Sequence, residues 1–368
     1  MNTHGSAGRL LVGLGSLALL AGCAAAASPT PVPATPTPIG TPSAGITTPA
    51  PATTAPTAPS PTPAAVTFGP VTVVTGTNTC PGLNPDWTQD SGGTWQVRDL
   101  TVECTDKTDD PRVSGTQTAT WGMDVWGALD QGVGTGVQWG TVRLENAGGV
   151  WEGQLSGVAS LPGRGDIITI WYQGTGGYAG LAYFELITGS PPTWKIQGQV
   201  SPGDPPPPYA EGGTTVARTE ASGPVADDAV AVVTGTATCP GLDFAFTADA
   251  EGIWHVRDDY HADRCTLTTD DPRVTGLRSS TWNFDLWGNP NAGTGAGVQW
   301  GTPRLENDGG AWEGRATGVV SLPGRGDIIV NWYKGTGGYE GLAYFELWTG
   351  SGPWKIQGQI FPGDPPTP

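Results

Sequence analysis

The sequence predicts an all-β protein: two tandem, homologous, antiparallel eight-stranded barrels, with a two-sheet β-sandwich as the alternative arrangement. Three observations lead there. The chain repeats itself. Gly-Thr-Asn-Thr-Cys-Pro-Gly-Leu at 76–83 returns as Gly-Thr-Ala-Thr-Cys-Pro-Gly-Leu at 235–242, and Thr-Asp-Asp-Pro-Arg-Val at 108–113 returns at 269–274. Val-Gln-Trp-Gly-Thr at 137–141 likewise returns at 298–302, so one structural unit is present twice. Within a copy there is no helical periodicity of useful length; short runs rich in Val, Ile, Thr, Trp and Tyr alternate with Gly-Gly, Asp-Pro and Pro-Gly punctuation. Finally, such runs fall at 70–77, 93–103, 112–126, 136–145, 150–159, 166–173, 180–188 and 193–200 in the first copy. Strands joined by short turns form a meander, and a meander of this length loses its exposed edges by closing into a barrel.

The elements follow in chain order. Residues 1–22 have one basic residue, Arg9, and an apolar run over 10–20. That run has the length of a secretion signal and is short for a membrane span. It ends in Leu20-Ala21-Gly22-Cys23, which resembles the lipobox of bacterial lipoproteins. The resemblance implies cleavage before Cys23 and lipidation of its thiol, so that acyl chains (palmitate among them) anchor the chain at the extracellular face of the membrane. Residues 23–66 are almost wholly Ala, Pro, Thr and Ser. They cannot bury enough apolar surface to fold, and are expected to be a disordered tether. At about 3.1 Å per residue such a chain reaches roughly 130 Å. The first β domain then spans 67–204, a Pro-, Gly- and Ala-rich linker 205–229, the second domain 230–364 and a tail 365–368.

The five cysteines divide as one lipid site and two pairs. Cys80 pairs with Cys104 and Cys239 with Cys265, as an exported chain allows. No CxxC spacing exists, and histidine is scarce, so no metal site and no cofactor are expected. The formal net charge of −17 excludes nucleic acid, whose binding needs clustered Lys and Arg. A monomer with two domains is the expected state.

Gly-Thr-Gly-Gly-Tyr-Ala-Gly-Leu at 174–181 and Gly-Thr-Gly-Gly-Tyr-Glu-Gly-Leu at 335–342 resemble the glycine-rich turn of allene oxide cyclase-like and dirigent-like barrels. The resemblance covers the last third of each copy. It implies a calycin-like barrel whose interior could hold a small apolar ligand, and carries no catalytic residue with it.

Several motifs have bland readings. Arg164-Gly165-Asp166 and Arg325-Gly326-Asp327 spell an integrin tripeptide, but turns reach this sequence readily. Asp109-Asp110-Pro111-Arg112 and its copy at 270–273 offer too few oxygens for calcium and read as a turn before a strand. His255 and His261 occur only in the second copy, so a His-based mechanism is impossible in the first. Carboxylate chemistry remains, with Asp124, Glu145, Glu152 and Glu185 repeated as Asp285, Glu306, Glu313 and Glu346.

Strand alternation sets Trp121, Met123 and Val125 on one face, and Asp124 with Trp126 on the other. Tyr183 and Glu185 likewise oppose Phe184 and Leu186. Aromatic and acid together make a candidate ligand face: Asp124, Trp126, Tyr183 and Glu185, with Asp285, Trp287, Tyr344 and Glu346 in the second copy. The expected activity is a non-catalytic extracellular binding module for a cell-wall glycan or small ligand. A barrel enzyme (a cyclase-like isomerase or a carboxylate-based hydrolase) and a structural envelope protein are the alternatives. An exposed Trp126 and Trp287 strip would favour glycan binding. A lumen where Asp124, Glu185 or Arg143 converge would favour the enzyme.

Overall fold

Strand pairing closes each repeat on itself. The computed structural model describes residues 66–68, 70–81, 85–161, 165–207, 230–240, 243–322 and 326–366. The expected signal segment, Cys23, nearly all of the tether and most of the linker lie outside the described residues.

The first copy contains β1 (Val66–Phe68), β2 (Val71–Thr79), β3 (Thr88–Gln89), β4 (Trp95–Thr108), β5 (Gly115–Trp126), β6 (Gly134–Asn146), β7 (Gly149–Leu161), β8 (Asp166–Gly176), β9 (Leu181–Ser190) and β10 (Thr193–Pro202). Each strand from β4 to β10 pairs with the next, and β2 joins β10 to β4. The result is a closed, antiparallel, eight-stranded barrel, so the sandwich alternative falls. The second copy contains β11 (Ala231–Thr238), β12 (Thr247–Ala248), β13 (Ile253–Thr269), β14 (Gly276–Asn289), β15 (Thr294–Asn307), β16 (Gly310–Leu322), β17 (Asp327–Gly337), β18 (Leu342–Gly350) and β19 (Trp354–Pro362). It closes the same way, with β11 joining β19 to β13. The short strands β1, β3 and β12 are additions that the hydrophobic pattern did not signal.

Alternation fills each barrel with one face of every strand. The first interior packs Val74, Trp121, Leu144, Trp151, Ile168, Ile170, Tyr172, Tyr183 and Ile196. The disulfides Cys80–Cys104 and Cys239–Cys265 form as expected, tying β2 to β4 and the end of β11 to β13. Among the described residues no helix is long and apolar enough to cross a membrane.

The two barrels dock outer wall to outer wall. One apolar cluster holds Trp126, Val137, Trp139, Val158, Trp171, Phe184 and Leu186 from the first, with Val298, Val319, Trp332, Phe345, Leu347 and Phe361 from the second. Most of these are repeat counterparts of one another, so the contact is nearly self-complementary, as a two-fold interface would be. Trp126 stacks on Phe361 at 6.0 Å between ring centroids. The Trp171 indole donates to Thr317 Oγ1 at 3.4 Å. The cause is visible in β8, where Ile167-Ile168-Thr169-Ile170-Trp171-Tyr172 is apolar on both faces. Such a strand must be covered on both sides.

Candidate functional site

The eight residues of the expected ligand face do not share a face. Asp124 and Trp126 point out of the first barrel, and Trp126, 8% exposed, is covered by the second. Trp287 is also buried outside its own barrel, against Val71 and Ala296. Tyr183, Glu185, Tyr344 and Glu346 point inward and are fully buried. Alternation within a strand correctly separated the pairs. Which face of one strand matches which face of another is set by register and closure, and the grouping across strands failed there.

On the outer wall a bulge aims an arginine. The β4–β5 register shifts between Val97 and Leu100, and Asp99 takes φ 52°, a left-handed conformation typical of such irregularities. Arg98 thereby pairs with Asp124 at 2.7 Å and lies over the Trp139 ring at 5.1 Å. The second copy repeats this with Arg257, Asp285 and Trp300. It adds His255, held between Asp285 at 2.5 Å and Asp249 at 2.9 Å. Burial pulls the His255 ring toward neutrality, but its two carboxylate partners outweigh that and raise its pKa. Among the described residues the partners of this ring are two carboxylates and the Arg257 guanidinium, with no hydroxyl or thiol side chain among them.

The interiors hold the richer chemistry. In the first barrel Asn78 Nδ2 donates to Asp106 Oδ1 at 2.6 Å and to Gln117 Oε1 at 3.1 Å. Gln117 Nε2 lies 3.2 Å from Asp106 Oδ2, 2.8 Å from the Tyr172 hydroxyl and 3.4 Å from Glu185 Oε2. Tyr172 donates in turn to Glu185 Oε2 at 3.0 Å, and its ring stacks on Tyr183 at 5.4 Å. A single neutral amide therefore bridges two buried carboxyl groups. Burial pushes Asp106 up to about 7. Burial first, then the Asp106 charge, raises Glu185 well above the ordinary carboxylate range. Both shifts run toward the protonated, neutral carboxyl form. Beside it is a cavity with room for about one water, lined by Asn78, Gln117, Trp121, Leu155, Ile187 and Trp194 among others.

The second barrel keeps the scaffold as Tyr333, Tyr344 and Glu346 and changes what surrounds it. Ala237 stands for Asn78, Leu267 for Asp106 and Arg278 for Gln117. Arg278 is 1% exposed; it donates to Asn331 Oδ1 at 2.9 Å and lies 4.2 Å from the Trp348 ring and 5.1 Å from that of Trp282. The Trp348 indole donates to Glu346. Burial pushes Glu346 up to about 7 against the pull of the Arg278 charge.

The remaining motifs are structural. Tyr178 of the glycine-rich turn stacks on Trp151 at 4.9 Å and donates to Asn146 Oδ1 at 2.5 Å; Tyr339 does the same with Trp312 and Asn307. A Cβ on Gly174 would lie 2.1 Å from the Tyr178 carbonyl oxygen, so only glycine lets the turn close. Asp110 caps the turn Pro111–Val113 and pairs with Arg112 at 2.5 Å, while Asp109 accepts from the Thr75 backbone and hydroxyl. Of the Arg-Gly-Asp tripeptides, Arg164 and Arg325 lie outside the described residues. Asp166 and Asp327 accept from the Trp194 and Trp354 indoles. Glu145 and Glu152 flank Arg143 on the exposed outer wall, far in topology from the inward Glu185.

Asp106, Asn78 and Gln117 were not singled out from the sequence. The signal was present: Cys104 must face inward to pair with Cys80, so Asp106, two residues on, faces inward as well. No family model matches the chain, and no curated protein or solved structure is significantly similar to it.

Proposed function

We propose that this chain is an exported lipoprotein, anchored through Cys23, that presents a fused pair of closed barrels outside the cell as a non-catalytic binding module for a small ligand. The observation that carries this reading is the repeated buried polar scaffold, Tyr172, Tyr183 and Glu185 with Tyr333, Tyr344 and Glu346. Burying such groups costs free energy that an apolar core would avoid, and each copy surrounds the scaffold with a different set of partners. The glycan version needs the Trp126 and Trp287 strip, which the barrel–barrel contact covers. The enzyme alternative needs Asp124, Arg143 and Glu185 to converge, and they stand on different faces.

The test is a small-molecule screen on the full extracellular chain, read by thermal unfolding and intrinsic Trp fluorescence. The panel includes organic cations, organic acids, sugars and cell-wall polysaccharide fragments. A saturable shift with a small molecule supports the reading; an empty screen overturns it. Binding of polysaccharide alone would move the site to the outer walls. The anchor is tested separately: Cys23→Ser is expected to release the protein from membranes, and continued attachment would refute lipidation.

A further inference from the structure

We propose that the outer wall of the first barrel binds a phosphorylated sugar or polyol, its phosphate seated over Thr77 between Lys107 and Lys195. This site lies apart from the buried scaffold on which the reading above rests, and goes beyond it.

Barrel closure builds the site. The closing strand β2 pairs with β10 on one side and with β4 on the other. Val74 and Asn78 face the interior, so Thr75 and Thr77 face out. The register then sets Lys107, Thr77, Lys195 and Thr188 in one row across β4, β2, β10 and β9. Opposed residues on neighbouring antiparallel strands are about 5 Å apart, so the two lysines stand about 10 Å apart at the backbone. Their four-carbon stems can converge on one anion above the Thr77 hydroxyl. The row crosses an open groove of about 740 Å³, whose wall also includes Thr75, Gln197 and Asp109. Small-molecule sites run from about 300 to 1,000 Å³, so the groove has room for more than the phosphate. The barrel–barrel contact leaves it free: that contact covers the other end of β2, where Val71 clusters with Trp287.

Charge singles the groove out. The chain has four lysines and a formal net charge of −17, and two of those lysines meet here. Lys334 pairs with Asp364 at 2.7 Å. Lys107 and Lys195 are exposed, with no ion-pair partner among the described residues. The carboxylate on the wall, Asp109, is turned to the Thr75 amide and hydroxyl at 2.8 Å each, one on each oxygen. Lysine meets phosphate as a point charge, whereas the planar fork of arginine is what matches a carboxylate. Two ammonium groups balance a phosphate dianion. Thr77, Thr188 and Gln197 offer hydroxyl and amide partners to a polyhydroxylated body. Among the described residues no aromatic ring lines the groove, so a nucleotide would find nothing on which to stack its base.

The second copy supplies an internal control. Of the ten residues around the groove, nine recur there unchanged, and Thr268 alone replaces Lys107. The equivalent row is Thr268, Thr236, Lys355 and Thr349. The interiors have diverged, with Ala237, Leu267 and Arg278 for Asn78, Asp106 and Gln117; this outer surface differs only in the second lysine.

The experiment is isothermal titration calorimetry on the full extracellular chain at pH 8 and fixed ionic strength. The probes are glycerol 3-phosphate, glucose 6-phosphate and inorganic phosphate. Glycerol, glucose, sodium sulfate and sodium glucuronate serve as comparisons. The expected result is saturable binding of at least one phosphorylated probe, tighter than inorganic phosphate and than every comparison, at one site per chain. Lys107→Thr, which copies the second barrel, should weaken it about tenfold or more, as removal of one close charge implies. Thr268→Lys completes the second row and should raise the stoichiometry from one to two, so the proposal stays testable if Lys107→Thr fails to fold. Lys334→Thr, outside the groove, should change nothing. No saturable binding of either phosphorylated probe overturns the proposal, as does affinity unchanged in Lys107→Thr or stoichiometry unchanged in Thr268→Lys. Sulfate or inorganic phosphate binding as tightly as the phosphorylated probes would overturn the sugar or polyol assignment, and glucuronate doing so would overturn the phosphate. A small molecule that binds equally well in Lys107→Thr belongs to the interior reading, which the wider screen decides separately.

Discussion

Gln199 of the first barrel donates its side-chain amide to the backbone carbonyl of Gly297 in the second, at 2.8 Å. Its repeat counterpart, Gln359, accepts from Thr135 of the first barrel at 2.6 Å, one residue before the position equivalent to Gly297. Each glutamine reaches into the neighbouring barrel, although both bonds are donated from the first barrel to the second. The duplicated domains therefore meet as two subunits of a dimer would, with the symmetry softened by sequence divergence. The polypeptide link makes the pairing intramolecular, so it does not depend on protein concentration.

This arrangement predicts joint unfolding. Trp171 and Phe345 belong to the shared cluster and are 3% and 0% exposed, so truncating either to alanine should cost about 3–5 kcal/mol. The loss should be felt by both barrels. Urea unfolding of the chain is expected to give one transition, and Trp171→Ala should lower it as a whole. Two separated transitions in the parent, with only the first moving in the variant, would show that the barrels are independent.

The bulge at Asp99 supplies a backbone test. A non-glycine residue in the left-handed region costs about 1–2 kcal/mol, and Asp99 sits there at φ 52°. Asp99→Gly should be neutral or stabilising, whereas Asp99→Val should destabilise by about that amount, since a branched side chain fits the region worst. Asp258, at φ 49°, should behave alike. Equal stability of the glycine and valine variants in urea titrations would contradict the strained geometry.

Much of this architecture was legible in the sequence because its signals are local. Each of the eight expected strand runs of the first copy coincides with a barrel strand, since period-two alternation and glycine or proline turns mark strands directly. The barrel–barrel contact was harder. It shows only in the doubly apolar run from Ile167 to Tyr172 and in Phe184 and Leu186 opposing Tyr183. A short continuous apolar run does not say what covers its second face. The interior cluster was missed for a related reason. Asp106 lies in Cys-Thr-Asp-Lys-Thr-Asp-Asp and reads as polar turn, until the disulfide at Cys104 fixes which way the strand faces. Gln117 shares a face with Trp121 by the same alternation, yet a glutamine near a strand start carries no signal of burial.

The disulfides should matter in proportion to the loops they close. Cys80–Cys104 and Cys239–Cys265 enclose separations of 24 and 26 residues, and chain-entropy arguments assign about 3 kcal/mol to loops of that size. The Cys80→Ser and Cys104→Ser double variant is expected to lose about this amount in chemical denaturation. Because the barrels share a core, the loss should appear in the common transition. A variant as stable as the parent would show that the bond adds nothing to the first barrel.

The buried carboxyl groups set the direction of the pH dependence. Asp106 and Asp327 are pushed up to about 7 and Asp166 to about 6 by burial, and Glu346 reaches about 7 despite Arg278. In the unfolded chain these groups titrate near the ordinary carboxylate values, so between about pH 4 and pH 7 the folded state binds more protons than the unfolded. Stability contributed by these groups is then fully present near pH 4 and is lost as pH rises through about 6 to 7. The lowered pKa of Asp271, paired with Arg273, pulls the other way, but only on the acid side, below the ordinary aspartate value. Thermal unfolding is therefore expected to move to lower temperature from pH 5 to pH 8. Asp106→Asn, which cannot ionise, should flatten part of that slope; a midpoint that rises over this interval would mean that the carboxyl groups are hydrated and ionised in the folded barrels.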